Sequence, residues 1–227
     1  MNSSLILSVW LNCLTFYIFV MIKCDVTLCA VIDRQAQAKQ GKDGQSFISF
    51  GVKVPIEGRD GVKSDLSVSV SVDGDKGKAS VYTTGRRVQV KGILSPRKKG
   101  DSIYFNLRAT SVDLVKSTEP DSIEGEMHFQ GKIGKDRNGK PAVDNRTDKK
   151  GNPFQTFSAY SSEKEGDNRE YLWVRFLNFS PNNESFVKAE AFVDVRGLLQ
   201  LGVYNGKLDI GCRVKEIQPW TIQNNNG

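Results

Sequence analysis

Beyond about residue 25 the chain is a succession of short runs in which apolar and polar side chains alternate, separated by turns rich in Gly, Lys, Asp and Pro. Leu66, Val68, Val70 and Val72 alternate with Ser67, Ser69 and Ser71, and Leu208, Ile210, Cys212 and Val214 alternate with Lys207, Asp209, Gly211 and Arg213. A period of two places one set on a core and the other on the opposite face of a β-strand. By this pattern strands are expected over 26–34, 45–54, 65–72, 87–94 and 102–115, and again over 126–134, 153–162, 170–179, 191–199 and 206–217.

The two sets are copies of one module. Gly44-Gln45-Ser46-Phe47-Ile48-Ser49-Phe50-Gly51-Val52 matches Gly151-Asn152-Pro153-Phe154-Gln155-Thr156-Phe157-Ser158-Ala159, and Val88-Gln89-Val90-Lys91-Gly92-Ile93-Leu94 matches Val193-Asp194-Val195-Arg196-Gly197-Leu198-Leu199. Phe157 stands 107 residues after Phe50 and Gly197 stands 105 after Gly92, so the register hardly drifts, as a duplication requires. Short segments, Gly74 to Thr84 and Pro181 to Glu190, separate the third and fourth strands, and the second of them suits a helix of about two turns. Five strands with a short helix between the third and fourth is the order of the OB-fold, a small closed Greek-key barrel. The expected fold is all-β, with two tandem OB-fold barrels at 24–116 and 125–220, a polar linker at 117–124 and a polar tail at 221–227.

Residues 1–20 stand apart. Leu5 to Ile22 is apolar apart from Ser8, Asn12 and Thr15, long enough for a membrane helix or a signal-peptide core. No Lys or Arg precedes it, and the nearest small-residue cleavage position, Cys29-Ala30, falls inside the first expected strand. The preferred reading makes the segment an upstream extension before a start at Met21; the alternative is a real membrane segment.

Composition narrows the function classes. With 38% hydrophobic and 26% charged residues the chain suits folded protein, and its net charge of +6 suits a polyanionic partner without demanding one. Cys13, Cys24, Cys29 and Cys212 form no Cys-x-x-Cys pair and His128 is the only histidine, so neither a structural zinc nor a disulfide framework is expected. Cys212 reads as a small core residue, and the chain as reduced and cytoplasmic. No Gly-x-Ser-x-Gly occurs, and Gly74-Asp75-Lys76-Gly77-Lys78 lacks the spacing of a phosphate loop. Neither catalysis nor a cofactor is expected.

The second module resembles the bacterial single-stranded DNA-binding protein family over nearly its whole length. The likeness is carried by Gly131-Lys132-Ile133-Gly134-Lys135-Asp136, Lys150 to Ala159, Glu170-Tyr171-Leu172-Trp173-Val174-Arg175-Phe176, Val193 to Leu199 and Val214-Lys215-Glu216-Ile217, in that order and spacing. The first module fits through Gly44 to Val52 and Gly85 to Leu94. The resemblance implies sequence-independent binding of single-stranded DNA in replication, recombination or repair, with single-stranded RNA as a second ligand. Two OB-folds in one chain resemble the tandem members of that family, which implies a homodimer presenting four OB-folds. Family members usually end in an acidic tail that recruits partners; this chain ends Ile222-Gln223-Asn224-Asn225-Asn226-Gly227, so recruitment of that kind is not expected.

Single strands are held by aromatic faces that stack bases and by cations that follow the phosphates. If Leu172, Val174 and Phe176 face the core, then Tyr171, Trp173 and Arg175 share the opposite face. Trp173 and Tyr171 are expected to stack bases and Arg175 to meet phosphate or add cation–π attraction. An interface role for Trp173 is the competing reading. Tyr160 extends the platform, and Phe154 either joins it or caps the barrel. Lys132, Lys135, Arg137, Lys140, Arg146, Lys149 and Lys150 are expected to line its rim. In the first module Ser95-Pro96-Arg97-Lys98-Lys99-Gly100 reads as a cationic loop tip, and Tyr104 and Arg108 as backbone contacts beside a face of Ser67, Ser69 and Ser71. The alternative function is an OB-fold protein-interaction or scaffolding module, attached to a membrane or secreted if the leader is real.

Overall fold

A computed structural model describes residues 22–58, 61–116, 118–165, 168–179 and 185–221, the side chains of 164–168 excepted. The leader, Cys13 and nearly all of the polar tail lie outside the described residues. No helix among the described residues is long and apolar enough to cross a membrane.

The first module contains β1 (Ile22–Gln40), β2 (Ser46–Glu57), β3 (Lys63–Asp73), the single-turn helix α1 (Lys76–Ala79), β4 (Arg87–Lys99) and β5 (Ser102–Leu114). β1 pairs with β2 and β4, β2 with β3, and β4 with β5, all antiparallel; a parallel β3–β5 pairing closes the ring. The second module contains β6 (Ser122–Ile133), β7 (Val143–Thr147), β8 (Pro153–Glu165), β9 (Asn168–Asn178), β10 (Phe192–Tyr204) and β11 (Lys207–Pro219). β6 pairs with β8 and β10, β8 with β9, and β10 with β11, and the ring closes through a parallel β9–β11 pairing. These are two OB-fold barrels of the same topology.

Alternation explains the cores. Along β1, Ile22, Cys24, Val26, Leu28, Ala30 and Ile32 are buried, with Phe50, Val52, Val68, Val70, Val88, Val90, Leu94 and Leu107 completing the first interior. In the second barrel Phe176 stacks on Phe157 at 4.9 Å and meets the edge of Phe129 at the same separation. Each such ring, fully buried, contributes roughly 1.5–3 kcal/mol. The repeated Val-x-Val-x-Gly motif has a steric cause. The register shifts between Lys91 and Gly92 of β4 and between Arg196 and Gly197 of β10, the extra residue lying in the partner strand (Thr110 of β5, Lys215 of β11), where that strand crosses closely. A Cβ on Gly92 would lie 2.1 Å from the Arg108 carbonyl oxygen, and one on Gly197 would lie 2.1 Å from that of Arg213.

The barrels are joined by their first strands. β1 and β6 pair antiparallel from Ile22↔Phe129 to Cys29↔Ser122, which makes one continuous sheet of 11 strands. Ile32 faces Val52 as Ile133 faces Ala159, so β1 and β6 superpose with an offset of 101 residues. At that offset Asp25 corresponds to Glu126, and these two residues face each other across the joint. The joint therefore has a pseudo-two-fold axis, passing between them.

Three expectations need correction. The linker is shorter, because Ser122, Ile123 and Glu124 already belong to β6 and pair with β1. The helix expected in both modules occurs in the first, capped by the Asp75 carboxylate accepting from the Lys78 N–H; the described part of the second segment, 185–190, forms turns, and residues 180–184 lie outside the description. The connection after β6 contains an unanticipated strand, β7, which pairs with β8 and lacks the alternation that would have marked it.

Gly92→Ala and Gly197→Ala should each lower stability by roughly 3 kcal/mol through overpacking of a backbone crossing, read from urea midpoints. Gly139→Ala, in an open turn with φ +73, should cost less, about 1–2 kcal/mol, because the positive φ strains an alanine although no atom opposes its Cβ.

Candidate nucleic-acid interface

The face of β8 and β9 that turns away from the core holds the aromatic residues. Leu172, Val174 and Phe176 are buried, while Tyr171 and Trp173 are 43% and 41% exposed. Tyr160 of β8 lies directly across from Trp173, its ring centroid 4.9 Å away, and meets the edge of Tyr171 at 5.4 Å. The indole packs closely over Gly134: a Cβ there would lie a tight 3.2 Å from the Trp173 ring. The Arg137 guanidinium lies over the indole at 5.6 Å, carried by a tight turn in which Asn138 and Gly139 adopt φ of 52° and 73°. Beneath them opens a cleft of about 750 Å³, bounded by Lys135, Arg137, Lys140, Asp144, Trp173 and Arg175.

The same face continues along β9. Phe154 stacks on Phe179 at 5.7 Å, so it joins the outer face and does not cap the barrel; the Arg213 guanidinium covers Phe179 at 4.9 Å. Phe179 and Arg213 were missed by sequence reasoning, although Phe179 shares the parity of Trp173 along the strand. A smaller aromatic pair, Phe192 edge-on to Trp220 at 5.9 Å with Lys132 over Phe192 at 5.6 Å, was also missed.

The cations divide into two groups. Lys132 and Lys135 approach Glu190 at 3.1 and 3.5 Å, and the Lys132 hydrogen bond leads in holding that carboxyl below its usual range. Arg146 is tied to Asp144 at 2.6 Å. Arg175 donates from Nε and Nη2 to Asp209 at 3.1 and 2.6 Å, so the contact expected with phosphate is made with a neighbouring carboxylate. Arg137, Lys140, Lys149 and Lys150 are exposed. Lys149 and Lys150 stand on a turn whose Asp148 carboxyl is held low, first by the Asn152 side chain and then by backbone N–H groups including that of Lys150.

The first barrel is different. Tyr104 is 53% exposed and Arg108 is exposed beside Ser71, on a face that also carries Ser67 and Ser69. Ser95 to Lys99 is not a loop, since it extends β4 and pairs with β5. Nor does its cationic end face open solvent alone. Arg97 and Lys98 line a small cleft with Ser161, Glu163, Glu170 and Leu172 of the second barrel, and Arg97 Nε lies 3.9 Å from Glu163 Oε2.

No family model matches the chain, and no curated protein matches it. Among solved structures, the wild-type single-stranded DNA-binding protein from Thermus aquaticus is similar, with 12% identity, 87% of this chain and 93% of that chain covered, and a TM-score of 0.48. A deletion mutant of the same protein gives 12%, 87%, 94% and 0.47. The small single-stranded DNA-binding protein from Streptomyces coelicolor gives 14% identity over 42% of this chain and 98% of that one, with a TM-score of 0.32.

The reactive groups sit elsewhere. His128 lies 2.9 Å from Asp194 Oδ1 on the β6–β10 sheet face, and Gln130 donates to Asp194 Oδ2 at 2.6 Å. No cluster of metal-ligating residues occurs among the described residues. Burial pushes the Cys24 and Cys212 thiols up to about 12. A thiol raised so far is almost wholly protonated at pH 8 and a poor nucleophile. Cys24 and Cys212 should therefore stay unlabelled by a thiol reagent at pH 8 until denaturant is added, as peptide mass mapping would show.

Proposed function

We propose that this chain is a non-enzymatic single-stranded DNA-binding protein whose second barrel carries the principal face. The observation that carries the reading is the cluster of Tyr160, Tyr171 and Trp173 on one outward sheet face, Tyr171 and Trp173 exposed and Tyr160 half-buried between them, with Arg137 over the indole. Aromatic faces accept any base, and an unpaired strand alone offers its bases for stacking, so such a face favours single strands without reading sequence. A base entering against Trp173 shares the indole with Arg137 or displaces that guanidinium toward the phosphates. Lys140, Lys149 and Lys150 on the neighbouring turns supply the phosphate contacts, and Phe154 and Phe179 extend the platform.

The serine-rich face of the first barrel offers fewer stacking surfaces, so this barrel contributes electrostatics, association with a second copy, or both. A homodimer would present four barrels, and RNA would compete where stacking dominates. The settings consistent with this chemistry are replication, recombination and repair in the cytoplasm.

Titration with oligo-dT and the matching duplex at two salt concentrations, read by tryptophan fluorescence, tests the proposal. The single strand should quench and the duplex should not, with affinity falling as salt rises. Trp173→Ala should lose about 1–3 kcal/mol of binding and most of the quench, and Tyr104→Ala should lose less. Equal losses would refute the asymmetry, and silence toward single strands would move the function to scaffolding.

A further inference from the structure

The β8–β9 hairpin has two faces. Its front carries Tyr160, Tyr171 and Trp173; its back, by alternation, carries Ser161, Glu163, Glu170 and Leu172. Glu163 and Glu170 are direct cross-strand partners, an arrangement of like charges that pushes a hairpin apart. The tip of the β4–β5 hairpin of the first barrel reaches this back face. Arg97 Nε lies 3.9 Å from Glu163, the Gly100 N–H donates to Glu170 Oε1 at 3.2 Å, and Ile22, Pro96 and Lys98 line a small cleft with Leu172. The reciprocal contact exists too. The β10–β11 hairpin of the second barrel lies against the β2–β3 hairpin of the first: Lys207 and Leu208 line one cleft with Ile56, Ser64 and Leu66, and a Cβ on Gly202 would lie 3.5 Å from the Glu57 carbonyl oxygen. Each barrel thus supports the outer hairpin of the other.

We infer that the β4–β5 tip is an intramolecular brace: Arg97 and the Gly100 N–H hold the Glu163–Glu170 pair from behind and so position the aromatic hairpin, without touching the ligand. This rests on the functional reading above for its consequence but not for its geometry. Arg97 is then a positioning residue and not a phosphate contact. An exposed ion pair of this length is weak by itself. The brace works because the charge contact and the backbone N–H, with a small shared cleft beside them, converge on one short hairpin. It also screens two carboxylates that would repel a polyanion beside the stacking face.

The test uses the full chain as wild type, Arg97→Gln, Glu163→Gln/Glu170→Gln, and all three together. Backbone hydrogen exchange across residues 158–175 is measured without DNA, and oligo-dT affinity is measured over a salt series. The brace requires faster exchange across that hairpin in Arg97→Gln, with peptides from β1 to β3 unchanged. It also requires an affinity loss of roughly fivefold or more, the lower end of ordinary site-to-site coupling. The salt slope should stay that of the wild type, and the triple variant should recover most of the loss because the acid pair no longer repels. Unchanged exchange in Arg97→Gln overturns the brace. So does the same affinity loss in both backgrounds with a slope smaller by about 0.7, the mark of one lost phosphate contact on a single strand. If the wild type binds no single strand, the functional reading falls while the exchange data still decide the brace.

Discussion

The architecture depends on the antiparallel pairing of β1 with β6. Each of these strands uses one edge for its own barrel, toward β4 or β10, and divides the other edge between the opposite module and the second strand of its own ring. In a lone barrel the half from Ile22 to Cys29 would be an open edge, a row of unpaired backbone donors and acceptors. Pairing the two open edges satisfies both at once. It also brings the two interiors into contact, since Ile22, Cys24, Met127 and Phe129 meet there and are all buried. Gly125 makes the close approach feasible, as a Cβ at that position would lie 2.0 Å from the Asp25 carbonyl oxygen. The traded hairpins follow, because once the strands are zipped the outer arms lie side by side.

On this near-symmetric frame the two faces have diverged. Where β9 places Tyr171, Trp173 and Arg175, the matching positions of β3 hold Asp65, Ser67 and Ser69, with the same parity toward solvent. The connection between the first two strands differs as well. In the first barrel β1 runs on to Gln40 in a ladder with β2 that shifts register twice but stays paired, whereas in the second the chain leaves the ladder, makes the turn that carries Arg137 and adds β7. The cleft beside Trp173 exists because of that departure.

Much of the fold was legible because period-two alternation and repeated glycines reflect local constraints: each strand has one wet face, and each bulge must pass another backbone. The joint between the barrels left no such mark. Ser122 to Glu124 reads as linker because edge pairing is made by backbone groups and asks little of side chains. The same blindness applies to charge. Arg97, Lys98 and Arg175 look like ligands for phosphate when seen alone, and only the folded chain brings Glu163, Glu170 and Asp209 to them. The alternation around Trp173 showed which residues share its face, but Arg137 lies in a loop, where sequence period says nothing about reach.

The axis between Asp25 and Glu126 carries a consequence for any linear ligand. A nucleic-acid strand has a direction, 5′ to 3′, and possesses no two-fold of its own. A strand running straight across both barrels would meet one in the forward sense and its twin in reverse, so identical faces cannot be engaged identically without the strand doubling back on itself. A chain that concentrates its aromatic residues on one barrel avoids that turn, and duplication within a single polypeptide is what allowed the two halves to become unequal.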